Sequence, residues 1–454
     1  MSRKTKKIHF VGIGGIGMSG IAEFLHHQGF EISGSDLHLT EVTNHLSNLG
    51  IVITEGHHPE NINDVDIIVK SSAVKDDNPE IVFAITSQIT VIRRAEMLAE
   101  LMRMSFGIAI AGTHGKTSST SMVGMVLSAA NLEPTVIVGG KVMNYNNNNL
   151  FGSGEYIVVE ADEYDRSFLS LSPVIAAITN IEADHLDCYE NLDEIKKAFI
   201  LFANKVPFFG AVICCIDDSG IQSILPEINK NIITYGITKQ ADVKALHLQN
   251  ENFKTFFDVS YKDYILGTIT LNLIGKHNIQ NALLAVTVGI ELNIPFSIIK
   301  QGLEEFKGVY RRMEFLGEKR GIKVFDDYAH HPTEIITTLQ GLKENTNHRI
   351  VAVFQPHLYS RTRDFVQEFS CSFYNADVLV ITPIYPAREA PIAGITGKLI
   401  ADAARQSRQH EVLYIEDNKK ITQSLLEILK ENDLLITIGA GDINKYAQEV
   451  LSKL

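Results

Sequence analysis

Val11-Gly12-Ile13-Gly14-Gly15-Ile16-Gly17 follows the apolar run Ile8–Val11 and leads into a helical stretch, Met18–His26. G-x-G-x-x-G in that context lets the backbone turn tightly, approach a phosphate closely and bring helix against strand. Asp36 follows about twenty residues on, in Ser33-Gly34-Ser35-Asp36, where an acidic side chain meets a ribose hydroxyl. Taken alone the loop points to NAD or FAD. It indicates a nucleotide diphosphate more securely than it indicates which nucleotide. A glycine turn with no ligand is the plainer alternative, and the strand and helix on either side disfavour it.

A second loop, Ala111-Gly112-Thr113-His114-Gly115-Lys116-Thr117-Ser118, sits between the run Gly107–Ala111 and a helical stretch, Ser119–Ala129. It resembles a P-loop, shortened to GxxGKT because Ile110 stands where the full motif has its first glycine. Backbone N–H groups from Gly112 to Ser118 would cradle the phosphates of ATP. Lys116 would neutralise the β and γ oxygens, and Thr117 would hold Mg²⁺ through its hydroxyl. A Gly-Lys-Thr by chance is common; here strand, loop and helix all agree. Downstream, Glu160 ends the strand-like Tyr156–Val159, and a carboxylate at a parallel strand's C-terminal end beside a P-loop is placed to hold Mg²⁺. The run Val174–Thr179 ends at Asn180 and leads to Glu182-Ala183-Asp184-His185, making His185 a candidate for a second cation or for the γ-phosphate. Most other carboxylates nearby read as solvated loop residues.

The bulk composition agrees with an enzyme of several α/β domains. With 454 residues, 45% hydrophobic and 21% charged, the chain has material for more than one core. A net charge of −13 argues against nucleic-acid binding and against an anionic lipid surface. It leaves phosphate binding open, because helix N-termini bind phosphate without a basic surface. The four cysteines include no CxxC pair and read as reduced thiols, so a cytoplasmic protein is expected. The basic start MSRKTKKIHF runs directly into a strand and has no signal-peptide core, and no apolar run reaches membrane-span length, so no membrane insertion is expected.

Strand-like runs alternate with helical ones almost throughout, the pattern of parallel α/β folds. Three successive domains are expected: 1–105, Rossmann-like; 106–310, of P-loop ATPase type; and 311–454, Rossmann-like, closing on ligands. The third contains the runs Ile322–Phe325, Arg349–Phe354, Val378–Ile381, Val412–Ile415 and Leu434–Ile438. Alternation over Thr255–Tyr264 and Ile265–Leu273 predicts an antiparallel addition to the central domain. Asn144–Asn149 reads as a short polar loop.

A dehydrogenase has no use for the second loop, and a kinase has none for the first. At this point the chain resembles the Mur ligases from Gly12 to Asp442. The matching segments after the two loops are Glu160–Asp165, Asn180–Asp187, Gly275–Asn281, Arg311-Arg312-Met313, Asp326-Asp327-Tyr328-Ala329-His330-His331-Pro332-Thr333-Glu334 and Gly439–Asp442. Phe354-Gln355-Pro356-His357-Leu358-Tyr359-Ser360-Arg361-Thr362 is similar to the family's alanine-adding branch rather than to the branch that recycles a tripeptide.

The resemblance implies ATP-driven joining of L-alanine to UDP-N-acetylmuramate through an acyl phosphate, with Mg²⁺, by a monomer or homodimer. It assigns Gly12, Gly14, Gly15 and Gly17 to the pyrophosphate, with Ser35, Asp36, Ser71 and Ser72 lining the same cleft. Lys116, His185 and Arg361 become the catalytic candidates. His277, Asn278, Asn281, Arg312, Asp327 and Tyr328 join the ATP set, and Arg311, His330, His331, His357 and Arg361 the amino-acid set. Metal ligands would be Thr117, Glu160 and His185. His277 and Asn278 also read as a helix N-cap. His57 and His58 are candidates for the same cleft, against the plainer reading of exposed loop histidines without a ligand. Gly439–Asp442 reads as structural. The rivals are the tripeptide-recycling ligase and, from another class, an NAD-dependent oxidoreductase using Gly12–Gly17.

Overall fold

The computed structural model describes residues 6–183, 188–238, 240–387, 389–407 and 411–454. It contains sheets of five, ten and six strands. The chain divides into two compact units: 1–245 with 259–267 and 280–305, and 246–258 with 268–279 and 306–454.

In the first unit, the five-stranded sheet runs in the order Val52–Glu55, Glu31–Asp36, Lys7–Val11, Ile67–Lys70, Thr90–Arg93, and every pairing is parallel. The strand before the first glycine loop is therefore central, which is why Phe10, Val11, Ile68 and Val69 are wholly buried. The helix after that loop starts at Ile16, two residues before the expected Met18.

The ten-stranded sheet has Phe106–Ala111, the strand before the second loop, between Ile175–Ile178 and Tyr156–Glu160. Both neighbours are parallel to it, so all three strands deliver their C-terminal ends to one edge. The run 144–149, expected as a loop, is a turn over 144–146 and then enters the outer strand Asn147–Leu150, antiparallel to Thr135–Val142. Backbone pairing does not require apolar side chains, so a polar run can complete a sheet at its margin. The other margin carries Val243–Glu251, Lys254–Tyr261 and Tyr264–Leu271, joined by two-residue turns at Asn252-Phe253 and Lys262-Asp263. All four turn residues have positive φ, the hairpin geometry that antiparallel neighbours need. This is the expected antiparallel addition.

In the second unit, six strands are ordered Glu314–Lys319, Ile322–Asp327, Leu434–Ile438, Ile350–Phe354, Val378–Ile381, Val412–Tyr414. All pairings are parallel except the first, a strand that sequence periodicity did not single out. Two apolar layers, one including Leu339, Phe354 and Phe369 and the other Val324, Val353 and Leu435, cover the faces of this sheet.

Two packing features position the loops. The second-loop helix, Lys116–Ala129, lies against the helix Phe296–Glu304, with Gly302 over its backbone. A Cβ at Gly302 would stand 2.8 Å from Val126 Cα and 2.9 Å from Met125 O. Beneath the first loop, Glu80 is fully buried and accepts hydrogen bonds from Ser35 Oγ at 2.6 Å, Asn61 Nδ2 at 2.7 Å and the His58 N–H at 3.3 Å. His57 Nδ1 lies 3.2 Å from Glu80 and 2.9 Å from Ser35 Oγ, so His57 belongs to this network and is not the exposed residue expected. Burial alone would push the Glu80 carboxyl up, but His9, Ser35 and Asn61 together hold it down at about 2.

Gly302→Ala should destabilise the protein by about 1–3 kcal/mol through backbone overpacking, read as a lower urea midpoint. Because the Glu80 carboxyl is depressed, its contribution is present above the ordinary value of 4.5 and is lost as pH falls towards about 2. Glu80→Gln should therefore cost roughly 3 kcal/mol at neutral pH. It should also flatten the stability loss between pH 4.5 and 2 in urea titrations.

Candidate functional site

The second loop is held by the strand beside it. Thr113 N–H donates to Asn180 O at 3.1 Å and His114 N–H to Asn180 Oδ1 at 2.8 Å. Asn180 Nδ2 and Thr179 Oγ1 donate back to His114 O at 3.0 and 2.6 Å. Two loop N–H groups, those of Thr113 and His114, are therefore used by the protein itself. Gly112 and Gly115 have φ of 139° and 81°, conformations that favour glycine. A Cβ at Gly115 would also lie 2.6 Å from Asn281 Oδ1. Asn281 accepts from Ser119 Oγ at 3.0 Å, so it belongs to the loop's surroundings.

Lys116 Nζ donates to Gly112 O at 2.6 Å, to Thr113 O at 3.2 Å and to both Glu163 oxygens at 2.9 and 2.8 Å. Burial works against its ammonium, but Glu163 and Asp162 more than offset that, and its pKa is raised. Lys116 is thus a fixed cation. Thr117 Oγ1 donates to Glu160 Oε1 at 2.9 Å, and the Gly139 N–H donates to Glu160 Oε2 at 2.7 Å. A hydroxyl and a carboxylate held together beside a lysine form the hard oxygen pair that suits Mg²⁺. His185 lies outside the described residues.

Around the first loop, Gly12 N–H and Ile13 N–H donate to Ser35 O at 2.8 and 3.1 Å, and Gly14 N–H donates to Asp36 Oδ2 at 2.8 Å. Asp36 therefore braces the loop. Ser35 is buried with its hydroxyl turned to Glu80, so its role is support of the loop from below. Ser71 lies across Gly12, where a glycine Cβ would be 3.1 Å from its own; Ser72 is exposed. Arg94 was missed by sequence reasoning. Its Nη1 lies 2.6 Å from where a Gly17 Cβ would be, which brings a cation onto a diphosphate-type loop. Glu163 was missed as well. Its nearest signal was the acidic run Glu160–Asp165, which does not say which carboxylate turns to the lysine.

In the second unit, Tyr328 is flanked by the guanidinium groups of Arg311 and Arg312, 5.2 and 5.3 Å from its ring centre. Arg311 is committed to the protein: Nε reaches Asp326 at 3.0 Å, and Nη1 and Nη2 reach Gly441 O and Gly439 O at 2.9 and 2.7 Å. That binds the Gly439–Asp442 turn to the sheet through three of the five guanidinium N–H groups. Arg312 Nη1 lies 3.5 Å from Glu334. Asp327 accepts the Met313 and Ala329 N–H groups, both at 2.7 Å; burial raises its carboxyl to about 6, with Arg312 opposing.

His330 and His357 have ring centres 5.9 Å apart, and His357 stacks on Tyr385 at 12°. Burial lowers the pKa of both, with Arg361 contributing in the same direction, and His357 falls to about 4. Both rings are therefore neutral at pH 7. His331 instead turns its ring edge to Phe365. The helix containing His277 and Asn278 begins at Lys276. Asn278 Nδ2 donates to Ile274 O at 2.8 Å, so these residues form the helix's first turn and the N-cap reading does not hold. Burial brings the His277 imidazole down to about 4.

Comparison with known proteins adds the following. Residues 7–106 match the Mur ligase family catalytic domain, 110–289 the Mur ligase middle domain, and 311–441 the Mur ligase glutamate ligase domain. A UDP-N-acetylmuramate–L-alanine ligase of Geotalea uraniireducens is 50% identical over 454 residues, 100% of this chain and 99% of that one. A ligase of the same name from Salinibacter ruber is 50% identical over 453 residues, 99% of this chain and 95% of its own. The crystal structure of UDP-N-acetylmuramate-alanine ligase from Thermotoga maritima superposes with a TM-score of 0.80 at 31% identity, covering 98% of each chain. Sequence likeness along the whole length and a shared three-domain fold have one explanation: the chain belongs to the Mur ligase family.

Proposed function

We propose that the chain uses ATP to join L-alanine to UDP-N-acetylmuramate, the cytoplasmic step that places the first amino acid on a peptidoglycan precursor. The observation that carries the reaction class is one chain holding both a diphosphate-type glycine loop and a P-loop with a buried, charged lysine. The choice of sugar acid and amino acid is supported by the relatives that match it over their whole length.

A carboxylate is a poor acyl donor because its leaving group would be oxide. In the proposed reaction the substrate carboxylate oxygen attacks the γ-phosphorus, and ADP leaves. The alanine amine then attacks the carbonyl carbon of the acyl phosphate, loses a proton and expels inorganic phosphate. The protein's part is to hold anions together and stabilise spreading phosphoryl charge. Lys116 supplies a permanent positive charge, and the N-terminus of the helix Lys116–Ala129 supplies oriented dipoles. Thr117 and Glu160 would hold Mg²⁺, with His185 proposed for a second ion; bound Mg²⁺ neutralises charge on the phosphates. On the sugar-nucleotide side, Gly12–Gly17 would take the pyrophosphate, braced by Asp36 and Ser35 and approached by Arg94. From the second unit we assign Arg312, Asp327, Tyr328, His277 and Asn278 to ATP and His330, His357 and Arg361 to the amino acid. Arg361 is the cation in that second set.

With ATP, Mg²⁺ and UDP-N-acetylmuramate, phosphate release should depend on L-alanine; dependence on a tripeptide would favour the recycling reaction, and no amino-acid dependence would sink the proposal. Lys116→Ala should lower the rate by about 10²–10³-fold or more, with an unchanged circular dichroism spectrum. Glu160→Gln should raise the Mg²⁺ concentration needed for half-maximal rate by about 10–100-fold.

A further inference from the structure

Glu163 has a place in the site that the ligation chemistry does not use. Its side chain is only 3% exposed, that of Lys116 is 13% exposed, and both carboxylate oxygens lie within hydrogen-bond reach of Nζ. Gly112 O and Thr113 O already aim the ammonium. Orientation of the lysine therefore does not require Glu163; a counter-charge is what it adds. A buried ion pair loses solvation on both sides, so it is weak ground for stability.

We infer that the Glu163 carboxylate stands in for the phosphate of ATP, occupying Lys116 until the nucleotide displaces it. This rests on the reading of the second loop as the ATP site. An ammonium has three N–H bonds. With two directed at carbonyls, what remains serves one anion, and a phosphate oxygen arriving at Nζ meets a carboxylate already there. Two anions at that distance repel strongly in a poorly solvated site, so one leaves. The Glu163 backbone stays in place, because its carbonyl accepts from Tyr189 Oη at 2.7 Å and from the Arg166 N–H at 3.1 Å. Exchange is thus a side-chain rotation about a pinned backbone. The pair keeps the lysine charged without an empty cationic cavity, and it lowers ground-state affinity for ATP while leaving the ammonium available as phosphoryl charge develops.

Isothermal titration of ATP into the full-length protein tests this. Glu163→Gln, which keeps shape and removes charge, should bind ATP about tenfold more tightly than wild type, the worth of one charged hydrogen bond. Glu163→Asp, charged but shorter, should fall between. In a Lys116→Met background, Glu163→Gln should change the affinity little, since the effect passes through the lysine. A merely structural glutamate would not give tighter binding that vanishes with Lys116. Equal or weaker binding by a folded Glu163→Gln, or the same gain in the Lys116→Met background, would overturn the proposal. Wild-type protein that binds no ATP would instead overturn the reading of the loop.

Discussion

A buried ammonium must be answered by charge and by hydrogen-bond acceptors, and Lys116 sets that requirement for the centre of the first unit. Its acceptors are the carbonyls of Gly112 and Thr113, so the loop must curl back on the lysine. The curl needs glycine at 112 and 115, where φ is positive. It also needs the neighbouring strand, whose Thr179 and Asn180 hold the loop by His114. That strand can be a neighbour only because the sheet is parallel there and its strands finish at one edge. A single charge thus connects sheet topology, loop conformation and the acidic run after Glu160.

The two glycine loops solve related problems with different supports. The first has no lysine within it. It is braced by acceptors on the adjacent strand, the Ser35 carbonyl and the Asp36 carboxylate, and beneath them lies Glu80 with its shell of donors. A carboxylate held down at about 2 in a fully buried place marks a network whose members are mutually dependent. The second loop has its counter-charge on its own lysine, through Glu163, and the first has it underneath, in Glu80.

In the second unit, charge is arranged to leave neutral rings beside arginines. Arg311 ties the turn at Gly439–Asp442 to the sheet, and Arg312 shares the face of Tyr328 with it. His330 and His357 stay uncharged because they are buried and lie near Arg361.

Much of this was legible in the chain as written. The strand–glycine–helix order of both loops, the parallel α/β class and the run of motifs through Arg312 and Asp327 are local patterns, set by residues a few positions apart. The rest depended on residues far apart in sequence. Glu163 pairs with Lys116 across 47 positions and Asn281 meets Ser119 across 162, and no spacing rule selects them from the other acids and amides. Arg94 over Gly17 and Glu80 under Ser35 are of the same kind. The polar strand Asn147–Leu150 is formed by pairing with Thr135–Val142 and not by its own propensity. Sequence alone determined where the two glycine loops turn between strand and helix, because glycine conformation and helix dipoles are local. Tertiary structure decided which side chains share those sites, because a charge finds its partner by distance in space.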